Sequence, residues 1–109
     1  MRSAIIQEDK DMTIGKQVDG SKLTLSLEGR LDTTTAPLLE AELKHSINDV
    51  NELVFDFEKL EYISSAGLRV LLAAQKVMNR QGNMVIRNVN ETIAEVFEVT
   101  GFVDILTIE

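Results

Sequence analysis

Residues 53–74 read LVFDFEKLEYISSAGLRVLLAA and change from a strand pattern to a helix pattern at two adjacent serines. The first part, Leu53 to Phe57, is a short apolar run of bulky residues, which is typical of a buried strand. From Leu68 onward apolar residues recur at helical spacing, and the following alanines favour helix. Ser64 and Ser65 are therefore predicted to lie at a helix N-terminus soon after a strand.

A serine at the start of a helix has two interpretations. The first backbone N–H groups of a helix lack intrahelical partners, and a serine hydroxyl can accept a hydrogen bond from one of them. The same N–H groups and the positive end of the helix dipole favour phosphate, so the serine can also be a phosphorylation site. Taken alone, the local sequence favours the capping role.

Length and charge restrict the class of protein. The chain has 109 residues, enough for one domain with a substantial core and too few for two. It carries 18 acidic and 11 basic residues, a formal net charge of -7, which argues against nucleic acid and favours a basic partner. Cysteine is absent, and no apolar run has the length of a signal or a membrane span. A cytoplasmic protein without membrane insertion is expected.

The sequence shows no grouping of residues typical of an active site. His45 is the sole histidine and is expected to be exposed on a helix, and no metal-ligand spacing is present. The glycines are scattered, so a phosphate-binding loop is absent. We therefore expect a protein that is not an enzyme and that uses neither a cofactor nor a metal.

The first half of the chain predicts a hairpin and a helix. Met12–Val18 and Lys22–Glu28 alternate in polarity and are predicted to pair through a turn at Asp19-Gly20. Thr34 or Thr35 is the predicted cap of the first helix.

The second half predicts two more helices and a strand. The helix that follows the serines is predicted to end in a left-handed cap at Gly82, ahead of a strand at Met84–Arg87. Asn90 is the predicted cap of a third helix that Gly101 ends, and Asp104–Ile108 fits either a strand or a helix. The order β-β-α-β-α-β-α predicts an α/β fold with helices packed on a mixed sheet.

Four segments match one known family in sequence order: Gly29–Pro37, Leu53–Phe57, Glu61–Leu72 and Val96–Asp104. They resemble the STAS domain, and specifically the bacterial anti-sigma factor antagonists. The resemblance covers nearly all of the chain from Met12, which leaves residues 1–11 as a tail or partial strand and residues 12–109 as the STAS domain. It implies a single domain with the STAS-type mixed sheet and helices packed on it.

This resemblance implies a switch protein and not an enzyme. In that family the unphosphorylated form binds an anti-sigma factor that is also a serine kinase, which frees a sigma factor. Phosphorylation by the kinase releases the protein, and a serine phosphatase resets it. The alternative function is a STAS subunit that docks on a transporter or a stressosome-like assembly without a phosphorylation cycle.

The family pattern Asp-Ser-(Ser/Thr/Ala)-Gly-Leu places the modified serine at Ser65 and the closing pair at Gly67 and Leu68. Ser64 stands where the family has aspartate, so Ser64 stays open as a weaker alternative acceptor. The same departure gives some support to the docking-subunit alternative.

The resemblance implies a partner-binding surface made of Asp32, Thr33, Ser64, Ser65, Gly67 and Leu68. A carboxylate at Asp32 could pair with an arginine of the partner, and an Asx turn ahead of the helix is an equally consistent role. Thr33 is the weaker contact. Arg69, one helical turn from Ser65, is interpreted as an exposed helix arginine, with a phosphate contact as the alternative.

Overall fold

A computed structural model describes residues 2–109 of the chain. Five strands form one sheet in the order β1-β2-β3-β4-β5, with bounds Arg2–Glu8, Met12–Asp19, Lys22–Leu31, Glu52–Ile63 and Asn83–Arg87. Helices α1, α2 and α3 span Ala36–Ser46, Ser65–Gln81 and Glu91–Thr100, and a 3-10 turn follows at Phe102–Asp104.

The sheet is mixed. Strands β1, β2 and β3 are antiparallel neighbours, whereas β3, β4 and β5 are parallel. The carboxyl ends of these three parallel strands therefore lie at one edge of the sheet, which is where α/β folds commonly bind ligands. The predicted α/β fold with helices packed on a mixed sheet is confirmed.

The three helices and one face of the sheet share a single core. In β3 the alternate residues Leu23, Leu25 and Leu27 are buried, as the pleat of a strand requires. They join Phe55 and Phe57 of β4 and the buried apolar residues of all three helices in one cluster. No helix within residues 2–109 is both long and apolar enough to cross a bilayer.

Residues 2–8 form the strand β1, which pairs with β2, so the predicted element order lacked its first strand and the tail or partial strand expected over residues 1–11 is a strand there. Two further strand predictions need adjustment. Asp19 pairs with Lys22, so the hairpin turn is Gly20-Ser21, one residue later than predicted. Gly20 has φ 62°, which glycine adopts without strain. Strand β4 continues to Ile63, beyond the predicted apolar run, because its later residues still pair with the end of β3.

The predicted end residues of α3 are confirmed, whereas the conformation predicted for the end of α2 is not. Asn90 caps α3 by accepting from the N–H of Ile93 at 2.9 Å, and Gly101 ends it with φ 80°, as predicted. The left-handed cap predicted at Gly82 is wrong, because its φ of 169° is extended. Glycine fits there because an added Cβ would collide with the carbonyl of Asn51.

The C-terminal segment covers one edge of the sheet. Of the predicted range 104–108, Asp104 ends the 3-10 turn and Ile108 forms an isolated parallel bridge with Ile86 of β5. The N–H of Ile86 donates to the carbonyl of Thr107 at 2.9 Å. The segment is therefore neither a full strand nor a helix.

Candidate functional site

Two loops meet at the carboxyl edge of the parallel strands. Leu31, at the end of β3, is in register with Ile63, at the end of β4. The N–H of Ser64 donates to the carbonyl of Leu31 at 2.9 Å, which ties the start of α2 to the end of β3. The loop after β3 and the start of α2 consequently lie side by side, and we call Asp32, Thr33, Ser64 and Ser65 the rim surface.

Ser65 is the first residue of α2 and is exposed. Within residues 2–109 its hydroxyl forms no hydrogen bond, so it does not cap the helix. The first intrahelical bond runs from the N–H of Leu68 to the carbonyl of Ser64 at 3.0 Å, which leaves the preceding N–H groups without intrahelical partners. An accessible hydroxyl therefore stands at a helix end that favours an anion.

Ser64 is placed differently from its neighbour. Its backbone has the extended geometry of an N-cap residue, with φ -102° and ψ 176°, but its side chain makes no capping bond. Its Oγ atom is buried and has no hydrogen-bond partner in the part of the chain that the structure describes. Neither serine plays the capping role that the local sequence favoured, and only Ser65 is exposed.

The Asp32 loop is held by its own hydrogen bonds. Asp32 Oδ1 accepts from the Thr34 hydroxyl at 2.8 Å and from the N–H groups of Thr34 and Thr35 at 3.0 and 3.2 Å. This is the predicted Asx turn. Thr33 lies exposed within the same turn.

Thr35 is at the N-cap position of α1, but it does not cap that helix through its side chain. Its buried hydroxyl donates to the carbonyl of Arg30 at 2.7 Å and accepts from the N–H of Asp32 at 2.8 Å. The predicted cap position is therefore confirmed at Thr35, but the hydroxyl is used to close the loop and forms no capping bond. The loop enters α1 already ordered.

The charge of Asp32 is stabilised in the fold. The Thr34 hydroxyl lowers the pKa of Asp32, and the N–H groups of Thr34 and Thr35 lower it further, against the opposing effect of partial burial. The other oxygen, Oδ2, lies 3.6 Å from Arg30 Nε. Asp32 therefore presents a carboxylate at neutral pH, and within residues 2–109 its Oδ2 accepts no hydrogen bond and has only the ion pair with Arg30.

Gly67 and Leu68 lie in the first turn of α2, on its buried side, next to the rim surface. Both are buried, and Leu68 is only 6% exposed. A Cβ added to Gly67 would lie 2.8 Å from Leu31 Cγ and 2.9 Å from Ile63 Cγ1. Their role in a partner-binding surface would therefore be to position Ser65 and not to touch the partner through a side chain.

Arg30 and Tyr62 flank the rim surface and were not among the site residues predicted from the sequence. They are register partners at the ends of β3 and β4, and the Arg30 guanidinium carbon lies 4.3 Å from the centre of the Tyr62 ring. Both are exposed. Each precedes a predicted site residue by two positions, a spacing that could have indicated them.

Two other residues considered from the sequence are Arg69 and His45. Arg69 and His45 are exposed on their helices, and no residue 2–109 belongs to a group of acidic, histidine or cysteine side chains that could hold a metal ion.

Asp32→Ala is expected to destabilise the domain by about 1 kcal/mol, because it removes the acceptor of the Asx turn. Asp32→Asn keeps an amide oxygen for the same donors and is expected to cost less. Because folding lowers the pKa of Asp32, the Asp32 carboxylate of the unfolded chain is protonated at a higher pH than that of the folded chain. The stability that the charge contributes is therefore fully present at a pH above the ordinary pKa of aspartate, and it is lost as the pH falls through the lowered pKa of the folded state.

Urea unfolding of the parent and both variants between pH 7 and pH 3 measures this contribution. Both variants should lose less stability on acidification than the parent does. An unchanged pH dependence in Asp32→Asn would contradict the role assigned to the charge.

Sequence comparison finds the STAS domain over residues 13–109. BtrV of Bordetella bronchiseptica, assigned as an anti-sigma factor antagonist, is 38% identical over 94 residues, covering 84% of this chain and 80% of BtrV. The anti-sigma-B factor antagonist of Listeria monocytogenes is 28% identical over 96 residues, covering 86% of this chain and 84% of the relative.

Solved structures share the fold at lower identity. An anti-sigma factor antagonist from Mycobacterium paratuberculosis has a TM-score of 0.82 at 20% identity, covering 94% of this chain and 89% of that one. Phosphorylated SpoIIAA of Bacillus has a TM-score of 0.70 at 20% identity, with 88% and 90% covered. A sulfate transporter family protein from Wolinella succinogenes has a TM-score of 0.70 at 16% identity, with 84% and 75% covered.

Proposed function

This chain belongs to the STAS domain family, and on that premise we propose that it is an anti-sigma factor antagonist gated by phosphorylation. In this proposal the unmodified protein sequesters an anti-sigma factor that is a serine kinase, and so frees a sigma factor in the cytoplasm. A serine phosphatase reverses the modification. The names of the relatives support the general role, and the observation that carries the switch is the exposed Ser65 hydroxyl beside the ordered Asp32 loop.

The unmodified rim surface suits a partner with a basic group. The Asx turn fixes the Asp32 carboxylate, and Oδ2, whose ion pair with Arg30 is 3.6 Å long, still has the capacity to accept a hydrogen bond from an arginine guanidinium of the partner. The net charge of -7 adds a long-range attraction for a basic surface. Asp32 would therefore attract and orient the kinase, and the neutral Ser65 hydroxyl would lie within the contact.

Phosphate on Ser65 would change this contact without disrupting the fold. The residue is already exposed, and the start of α2 favours negative charge. The new dianion would lie next to the acidic Asp32 loop and face a partner surface that fits a neutral hydroxyl. Desolvation of the phosphate and repulsion from the nucleotide of the kinase would both oppose binding.

One observation favours a second candidate function. Ser64 replaces the aspartate of the family motif, which is consistent with a STAS subunit that docks on a transporter or a stressosome-like assembly without a phosphorylation cycle. The likeness to the sulfate transporter family protein concerns the fold alone. We retain the kinase-binding function because Ser65 itself is exposed and the loop beside it is intact.

We expect the cognate kinase to phosphorylate the chain once, at Ser65. The buried Ser64 hydroxyl would have to leave the protein interior to reach ATP, whereas Ser65 would not. The measurement is incubation of the parent, Ser64→Ala and Ser65→Ala with the kinase and ATP, followed by phosphopeptide mapping. The cognate serine phosphatase should then remove the phosphate.

Loss of phosphorylation in Ser65→Ala alone supports the proposal. Phosphate found only on Ser64 would move the switch to that residue. A parent chain that neither binds the kinase nor accepts phosphate would favour the docking-subunit function.

A further inference from the structure

We propose that Arg30, held against Tyr62, is a second partner-binding element that pairs with an acidic side chain of the kinase. This inference rests on the proposed function and extends it to residues beside the rim surface. It predicts that the kinase presents a basic and an acidic group side by side, the first for Asp32 and the second for Arg30.

The geometry holds the Arg30 guanidinium outside the core. Leu31 and Ile63 are buried neighbours, so the alternation of the two strands directs Arg30 and Tyr62 away from the core face. The side chain of Arg30 is 52% exposed, and Tyr62 is 38% exposed. Stacking on the ring restricts the long arginine side chain, which reduces the entropy lost when a partner binds it.

The hydrogen-bonding capacity of Arg30 is unused. Among residues 2–109 its side chain forms no hydrogen bond, and its approach to Asp32 Oδ2 is an ion pair at 3.6 Å. A guanidinium has five N–H donors in a fixed plane and binds carboxylates in a bidentate manner. Exposed arginine and tyrosine are also the residue types that most often dominate binding energy at protein interfaces.

The position of Arg30 argues for an acidic group on the partner. A basic side chain that reached Asp32 Oδ2 would also come close to Arg30, because Arg30 Nε lies only 3.6 Å from that oxygen. Two like charges placed together in an interface are unfavourable. A carboxylate on the kinase would neutralise Arg30 and allow both charge pairs to form.

The test measures affinity for the purified cognate kinase loaded with ADP, which prevents phosphorylation. Arg30→Gln removes the charge and keeps much of the side-chain length, and we expect about tenfold weaker binding. Tyr62→Leu should weaken binding by a smaller factor, because it removes the stacking surface. Tyr62→Phe keeps the ring and should bind like the parent.

Arg80→Gln is the matched control, because it makes the same charge change on an exposed arginine in the last turn of α2. It should leave affinity unchanged. Tyr62 is the only tyrosine, so labelling with 3-fluorotyrosine gives one fluorine resonance beside the rim surface. That resonance should shift when the unlabelled kinase is added.

The outcomes separate the two proposals. If the parent does not bind the kinase, the proposed function fails and this inference fails with it. If the parent binds and Ser65→Asp disrupts binding, but Arg30→Gln binds as well as or better than the parent, only this inference is overturned. An unshifted resonance in a formed complex would also overturn it.

Discussion

Ser65→Asp is expected to weaken binding to the anti-sigma factor kinase by on the order of 100-fold, which corresponds to about 3 kcal/mol. The substituted carboxylate must lose water against a surface that fits a neutral serine, and it adds negative charge beside Asp32. Ser65→Ala should bind like the parent and stay bound when ATP is added, because it lacks the hydroxyl that accepts phosphate. Calorimetry and size-exclusion chromatography with ATP measure the two effects.

Ser65→Asn is the matched control, because asparagine has nearly the shape of aspartate without its charge. It should retain most of the affinity. The fold is expected to tolerate the charge, since an acidic residue at a helix N-terminus contributes about 0.3–1 kcal/mol of stability. Equal weakening by Ser65→Asn would show that size and not charge opposes binding, and parent-like affinity of Ser65→Asp would remove Ser65 from the switch.

The buried face of β3 and the two ends of α3 were predicted correctly, because each depends on residues close together in the sequence. The alternation of Leu23, Leu25 and Leu27 gave the buried face of β3, and Asn90 and Gly101 bounded α3 through contacts within a few residues. The capping bond from Asn90 to Ile93 and the left-handed backbone of Gly101 each involve residues within a few positions of the helix end. These two ends of α3 could therefore be recognised without the tertiary structure.

The errors arose where a tertiary contact sets the role of a residue. Gly82 was predicted as a left-handed cap, but it is required by the approach of Asn51, which is distant in sequence. Thr34 or Thr35 was predicted to cap α1; Thr35 is at the N-cap position, but its hydroxyl bonds back to Arg30 and Asp32 and makes no capping bond. In both cases the sequence pattern located the end of the helix, but a contact with a part of the chain outside the helix determines what the residue does there.

The site was predictable in part for the same reason. The change of period at Ser64 and Ser65 located the start of α2 to within a residue. Which serine faces solvent depends on how the helix packs, and the pairing of Arg30 with Tyr62 depends on strand register with an irregularity just before it. Neither could be read from one sequence.

Gly67→Ala is expected to destabilise the domain by about 1–3 kcal/mol, although glycine to alanine within a helix ordinarily stabilises by about 1 kcal/mol. The sign reverses because the new methyl group would lie 2.8 Å from Leu31 Cγ and 2.9 Å from Ile63 Cγ1, and both neighbours are buried. Gly67→Val adds two more carbons to the same space and should cost more, with impaired binding as α2 moves off the strands. Thermal and urea unfolding measure the loss, which for a chain of this size is about 4 °C or more per kcal/mol.

Gly15→Ala is the control for this prediction. Gly15 lies in β2, and an added Cβ there would come no closer than 3.7 Å to Ser26, an ordinary contact. Its stability should therefore match or exceed that of the parent, because alanine restricts the unfolded chain more than glycine does. A Gly67→Ala variant as stable as Gly15→Ala, with parent-like kinase binding, would show that α2 does not need this close approach to hold Ser65 in place.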